Sequence, residues 1–469
     1  MDNPKIVIIG AGPAGMGCAY TLAHGGVPSV LVEQEADVGG LCRTIDHLGY
    51  LFDIGGHRFI TKSDEVKKIW EEVLGSEFLL VKRLSRIYYR QRFFSYPLQF
   101  FDVVWHLGPL ESLFCLFSYL RARFFPCQNN DSFEGWIINH FGRRLYNIFF
   151  KSYSEKVWEI PCSSLSSDWA RQRIRGLSLR VALKNSIFAG SRETPKTLIT
   201  QFSYPKRGPG QFYQSLRDAC VTMGGDFSLN TTVRAIRHDN NKITAIETIS
   251  KSSGEKRVQD VEYLFSSIPL PELIQALQPR PPDEVIAAVA CLQFRSLIVV
   301  NIILDKEDVF PDQWLYIHEP NVKLGRIQNF KNWSHYMVTD TKKTSLGLEY
   351  FCNKGDYLWS MDDIELRNFA LKELSKIGFT LRHHLLDSFV VRSANAYPRY
   401  TLDYREHLSV LRAYVAQFSN MQTIGRAGLF RYDNSDRALL SGVYAARNFL
   451  YQEKHDLWQF DTDRDFMES

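Results

Sequence analysis

Residues 5–15, KIVIIGAGPAG, constrain this chain more than any other stretch. Lys5–Ile9 is a short apolar run, the pattern of a strand buried on both faces of a parallel sheet. The turn after it reads G-x-G-x-x-G, and Met16–His24 is small and apolar enough to be a helix packing back on that sheet. Ser29–Glu33 reads as the next strand. In such a βαβ unit Gly10 permits the tight turn, Gly12 lets the backbone approach a pyrophosphate, and Gly15 lets helix and strand pack closely. Pro13 and Ala14 open the helix, whose free N–H groups and positive dipole end favour phosphate. Glu33 lies 18 residues after Gly15, at the end of the second strand, placed to bond a ribose hydroxyl.

Further pieces point to FAD rather than NAD. Gly39-Gly40-Leu41-Cys42-Arg43-Thr44 follows the second strand; its glycines let backbone pass the cofactor, and Arg43 can reach a phosphate or the flavin. Gly55-Gly56 makes room for His57 to bond the flavin. Near the end, Thr423-Ile424-Gly425-Arg426 leads into a helix predicted from about Asn434 to Tyr451, whose N-terminus can stabilise negative charge on a flavin. Gly10, Gly12, Pro13, Ala14, Gly15, Glu33, Gly40, Leu41, Arg43, Gly56, His57, Gly425, Arg426 and Asn434 are the predicted cofactor-binding set.

The cofactor pieces are scattered, so the predicted architecture is α/β: a Rossmann-like FAD-binding domain with an inserted helical segment and a second, antiparallel-sheet substrate domain. The FAD-binding domain takes residues 1–95, 201–280 and 416–469. Residues 96–200 form a mostly helical insertion carrying substrate-binding residues, and 281–415 the sheet-rich domain, with Leu297–Leu304 its central strand and Leu346–Tyr350 pairing with it. A chain of 469 residues suits two or three domains. Net charge is +4, from 56 basic and 52 acidic side chains, too balanced for nucleic acid and better suited to a local anion site. The eight cysteines include no C-x-x-C, and the 12 histidines no metal-binding spacing, so no metal is expected. No signal peptide is read at the N-terminus, and Glu111 and Arg121 break the apolar stretch 107–125, so a cytoplasmic protein without membrane insertion is expected. The aromatic segment 93–125 is read as buried helix, with a greasy channel or membrane-surface element as the alternative.

Beyond the cofactor, the sequence resembles the UDP-galactopyranose mutases, especially the longer eukaryotic type, in separated blocks over most of the chain. Leu51–His57 is similar to that family's loop facing the flavin. Tyr153-Ser154-Glu155-Lys156-Val157-Trp158 resembles its uridine-binding segment, with Trp158 implied to stack on uracil. Arg173, fifteen residues on, and the pair Tyr316/Arg326 fall where the family binds diphosphate. Tyr397 and Tyr432 match its phosphate-bonding tyrosines, Asn434 would sit near the sugar, and Arg90 and Gln99 resemble positions near its uridine and flavin pockets. The chain departs from the pattern in three places: Ser154 replaces an asparagine, Trp333 stands where a further tyrosine falls, and Tyr432 to Asn434 is two residues shorter.

The resemblance implies pyranose–furanose isomerisation of a UDP-hexose, with a reduced flavin whose N5 forms a covalent sugar adduct and NAD(P)H as reductant. His57, Arg173, Arg326 and Asn434 are then the catalytic set. Oligomerisation is compatible with the sequence. The competing reading is an FAD-dependent oxidoreductase of the amine oxidase, protoporphyrinogen oxidase or desaturase type, working by hydride transfer. It shares the FAD motifs but does not account for the paired Trp158/Arg173 and Tyr316/Arg326.

Overall fold

The computed structural model describes residues 5–96, 98, 100–173 and 200–459, with the side chains of 100, 101 and 173 outside that description. Its nucleotide-type layer is a five-stranded parallel sheet in the order Met421–Thr423, Tyr263–Ser266, Ile6–Ile9, Ser29–Val32, Asp226–Ser228. Four strands separated by long stretches of chain thus flank the first, which is why the apolar run at residues 6–9 is buried throughout. Two helices cover the sheet together: Pro13–His24 and the C-terminal Ser435–Tyr451. They cross at glycines. A Cβ on Gly442 would lie 1.9 Å from the Ala14 carbonyl oxygen, and one on Gly17 would lie 2.4 Å from that of Leu439. Contact this close pins the C-terminal segment over the opening turn of the chain.

A seven-stranded sheet faces this layer. Its order is Leu385–Pro398, Phe294–Leu304, Thr344–Cys352, Leu324–Asn329, Trp314–Ile317, Ser85–Tyr89, Arg92–Ser95. All neighbours are antiparallel except Trp314–Ile317 with Ser85–Tyr89. The β-branched run at 297–304 is buried throughout and paired on both sides, and Thr344–Cys352 is one of its partners. The hairpin 85–95 joins this sheet, although it lies within the stretch read from sequence as the first part of the FAD-binding domain. A four-stranded sheet of Lys256–Asp260, Lys242–Ser250, Thr231–Asp239 and Leu277–Gln278 packs beside the parallel layer.

Helices fill residues 100–158, as the sequence suggests. Their burial does not follow the expectation: Trp105, Leu110, Phe114, Phe117, Phe124 and Phe125 are exposed. The reason is local. Helix Pro109–Phe124 buries only Cys115, Tyr119 and Ala122, a stripe of i, i+4, i+7 spacing, and turns its larger apolar residues outward. Among the described residues, no helix is long and apolar enough to cross a membrane.

Candidate active site

Between the parallel layer, the seven-stranded sheet and the helices lies a cavity of about 810 Å³. One half is built by glycines. Gly10 sits at φ +93°, a conformation that favours glycine, with Ser267 Oγ 2.4 Å from where a Cβ would be. A Cβ on Gly15 would lie 1.8 Å from the Gly10 carbonyl oxygen, so this residue sets the helix–strand approach rather than lining the cavity. Gly12 differs: nothing lies within 4 Å of its Cβ position, which leaves open space at the N-terminus of helix Pro13–His24. That helix has no acidic residue in its first turn, so its dipole faces the space uncompensated.

The second glycine motif docks on the first. Gly39 N donates to the Ala11 carbonyl (2.7 Å), and a Cβ on Gly40 would lie 3.0 Å from Gly12 Cα. Glu33 is buried at the cavity edge, where its carboxylate accepts from the N–H groups of Ala11 (2.6 Å) and Glu35 (2.9 Å). Burial raises its pKa against those bonds. Arg43 is held by the Gly40 carbonyl (3.1 Å) and by Glu35 (2.9 Å). His57 faces the cavity, and its Nδ1 has no partner among the described residues. Burial, with Arg426 and Arg326 nearby, lowers its pKa to about 4, so the imidazole is neutral at pH 7. From the far side, Gly425 packs on Ala14 and donates its N–H to Ser441 Oγ (2.9 Å). Asn434 caps helix Ser435–Tyr451 without a side-chain bond to it and lines the cavity.

The other half is aromatic and cationic. Arg326 is its centre. Its Nε donates to Glu349 (2.7 Å) and an Nη to the Tyr397 hydroxyl (2.8 Å). Burial pulls the arginine's pKa down, but the fully buried Glu349 together with the Tyr397, Tyr153 and Tyr316 hydroxyls outweighs it and holds the guanidinium charged. Glu349 also accepts from Gln328 Nε2 (2.6 Å). Tyr397 and Tyr432 stack with ring centroids 5.7 Å apart, and the Arg426 guanidinium lies 4.9 Å from the first ring and 4.1 Å from the second. Arg426 is fixed there by the carbonyls of Asp433 (3.2 Å) and Ala396 (2.8 Å). Tyr316 lines the cavity against Tyr96 and Tyr153.

The segment at residues 153–158 is bolted in place by Lys156. Its ammonium donates to the carbonyls of Ile317 (2.8 Å), Glu319 (2.9 Å) and Leu324 (3.0 Å), tying helix Lys151–Trp158 to the sheet. Trp158 reaches the cavity wall but is only 1 % exposed, packed edge-on against Trp169 and Tyr432. A base stacking on it would have to displace one of those rings. Trp333 lines the cavity with its N–H already donated to the Gln313 carbonyl (3.0 Å).

The structure therefore brings Gly10, Gly12, Pro13, Ala14, Glu33, Gly40, Leu41, Arg43, Gly56, His57, Trp158, Tyr316, Arg326, Tyr397, Gly425, Arg426, Tyr432 and Asn434 to one cavity. It does not bring Arg90 there: that residue is exposed at the tip of the hairpin joining Ser85–Tyr89 to Arg92–Ser95, over the Tyr89 ring. Gln99 and the Arg173 side chain lie outside the described residues; Arg173 ends helix Ser167–Arg173. Sequence reasoning missed Glu349 and Gln328. Glu349 had one signal, a lone acid inside the apolar run LGLEYF.

Paired glycine motifs, a buried acid ending the second strand, and a C-terminal helix closing over the first turn define a dinucleotide-binding flavoprotein. Residues 13–450 match the family described as flavin containing amine oxidoreductase, and the chain belongs to that family. It is a flavin-dependent enzyme, and the residues around Gly12, Glu33, Gly40 and His57 fit FAD. Among solved structures it is similar to reduced UDP-galactopyranose mutase, with TM-score 0.84 and 23 % identity, covering 99 % of this chain and 97 % of that one. It is also similar to a putative protoporphyrinogen oxidase from Exiguobacterium sp. 255-15, with TM-score 0.73, 17 % identity and coverage of 97 % and 100 %. At these identities the likeness establishes the fold. The 1-hydroxycarotenoid 3,4-desaturase of Flavobacterium sp. (strain P99-3) is 22 % identical over 306 residues, 58 % of each chain. The inactive all-trans-retinol 13,14-reductase of Danio rerio is 39 % identical over 54 residues, 12 % of this chain and 9 % of that protein. The chain thus spans little more than half of one of these curated relatives and a small part of the other.

His57 gives a pH prediction. Between pH 6.5 and about 4 an unfolded chain takes up a proton here that the folded one refuses, so acidification through that window removes stability. Denaturant midpoints of the wild type and His57→Asn should therefore change relative to each other as pH falls, the wild type losing more. Parallel curves would mean that His57 is not held neutral.

Proposed function

We propose that this protein is an FAD-dependent mutase interconverting the pyranose and furanose forms of a nucleotide sugar, a UDP-hexose. Carrying this reading is the charged Arg326, seated on buried Glu349 and hydrogen-bonded to Tyr397, with Arg426 lying over the neighbouring tyrosine pair. Guanidinium and phenol donors around one space suit a diphosphate; a protonated substrate amine would be repelled by the guanidinium groups. Reduced FAD, when bound, supplies a nucleophile for covalent catalysis, and NAD(P)H is the reductant in this reading.

The chain's own residues then hold and place the substrate. Arg326, Tyr316, Tyr397 and Tyr432 would bind the diphosphate and keep it close after it leaves the sugar, so that it can return. Burial pushes the Tyr397 hydroxyl up to about 12, which keeps its proton for donation. His57, neutral, would bond the cofactor, and Asn434 would meet the sugar beside it. Arg326→Lys keeps a charge beside Glu349 but loses the planar fork. UDP affinity should fall about tenfold or more with FAD content unchanged. Equal affinity by titration calorimetry would remove Arg326 from the site.

A second reading, hydride transfer from an apolar substrate, is favoured by one observation: the cavity has an apolar arm formed by Val103, Phe141, Leu145, Phe149 and Phe150. It leaves the Arg326–Glu349 pair without a task.

A further inference from the structure

Helix Pro109–Phe124 is amphipathic in the opposite sense from a core helix. Two of its polar residues turn toward the protein: Glu111 pairs with Arg144, and Ser118 Oγ accepts from the Arg144 backbone N–H (3.0 Å). Leu110, Phe114, Phe117 and Phe124 follow i, i+4, i+7, i+14 spacing on the outer face. With Trp105 and Phe125 beside them, they are between 56 % and 84 % exposed. Isolated exposed apolar residues are ordinary, but a contiguous aromatic patch on one face marks a contact surface.

The charges around the patch indicate what it meets. Arg121 and Arg123 are exposed on the same helix, and Arg90 lies near enough to act on the Glu111 carboxylate. Glu111 and Glu134 are taken by Arg144 and Arg143, so the acidic groups beside the patch are balanced while further arginines remain at its border. Aromatic and aliphatic side chains framed by arginine suit the headgroup boundary of an anionic bilayer. The helix is too short to span one. The patch also adjoins the active site: on the preceding helix, Phe100–Leu107, Trp105 is exposed and Val103 lines the apolar arm of the cavity.

We propose that residues 105–125 form an interfacial docking element that seats the protein on an anionic membrane surface, with the apolar arm of the cavity toward the bilayer. This stands independently of the substrate assigned above. The test is flotation of the full-length, FAD-loaded protein with vesicles of phosphatidylcholine alone or mixed with phosphatidylglycerol. The wild type should float with the mixed vesicles, and less so in high salt. The triple variant Phe114→Ser/Phe117→Ser/Phe124→Ser should lose binding by about tenfold or more, because it removes most of the inserting face. FAD content and UDP affinity should be unchanged, since none of the three residues lines the cavity. Arg121→Glu/Arg123→Glu should abolish the preference for the anionic vesicles. Absence of flotation, or flotation unaffected by the triple substitution, would overturn the proposal. So would a wild-type dimer in sedimentation velocity that the triple variant converts to monomer, because the patch would then be a subunit interface.

Discussion

Replacing Glu349 by alanine is expected to destabilise the protein by about 3–5 kcal/mol, the penalty for removing one partner of a buried ion pair. Glu349 is fully buried on strand Thr344–Cys352, near the middle of the seven-stranded sheet. Its carboxylate satisfies Arg326 Nε and Gln328 Nε2 together. Without it a guanidinium is left at the cavity wall with burial opposing its charge, and Gln328 loses its acceptor. Glu349→Gln keeps the shape but not the charge, so it should recover part of the stability and little of the anion affinity. Chemical denaturation of the three proteins, read beside UDP titration, separates the effects. A loss below about 1 kcal/mol for the alanine variant would place this pair in the class of exposed ion pairs and weaken the site described here.

The second large effect is expected at Gly15. An alanine there would put its Cβ 1.8 Å from a backbone oxygen and 3.0 Å from a backbone carbon, neither of which can swing away. Helix Pro13–His24 would have to lift from strand Ile6–Ile9. Overpacking of this kind costs about 1–3 kcal/mol, sometimes more, and here it also opens the turn that is to hold the pyrophosphate. Gly15→Ala should therefore be isolated with little or no FAD and a lowered melting temperature. Gly12→Ala is the informative contrast. Its Cβ meets nothing within 4 Å, so the apo-protein should match the wild type within about 0.5 kcal/mol while FAD affinity falls, because the methyl takes space the cofactor needs. If both variants bound FAD normally, the cofactor would not run over this turn.

The cofactor half was legible in the sequence because its chemistry forces residue types at fixed spacing. A turn that crosses Gly10 and a helix that touches Gly15 admit no side chain, and such positions announce themselves. The strands at 6–9 and 29–32 were legible for a related reason: strands buried on both faces read as short apolar runs. The substrate half was less legible. Tyr316, Arg326, Tyr397 and Tyr432 were found through resemblance, since nothing in spacing alone brings together residues from four separate segments. Glu349 and Gln328, which orient Arg326, lie beneath the site and follow no motif. Trp158 shows the limit from the other side: its position in the wall was anticipated, but its burial, by nearby Trp169 and by Tyr432, depends in part on a chain segment hundreds of residues away. The outward face of helix Pro109–Phe124 was misread as core because apolar periodicity shows that a helix has a face, not which way it points.

The most direct test of the central claim, that the cavity beside the flavin takes a nucleoside diphosphate, is fluorescence anisotropy of a fluorescent UDP with the FAD-loaded protein, oxidised and dithionite-reduced, competed with UDP, UDP-galactose and a polyamine. Saturable binding is expected that UDP and UDP-galactose displace and the polyamine does not, weakened in Arg326→Lys. No binding in either redox state would contradict it and leave hydride transfer from an apolar substrate as the function of this site.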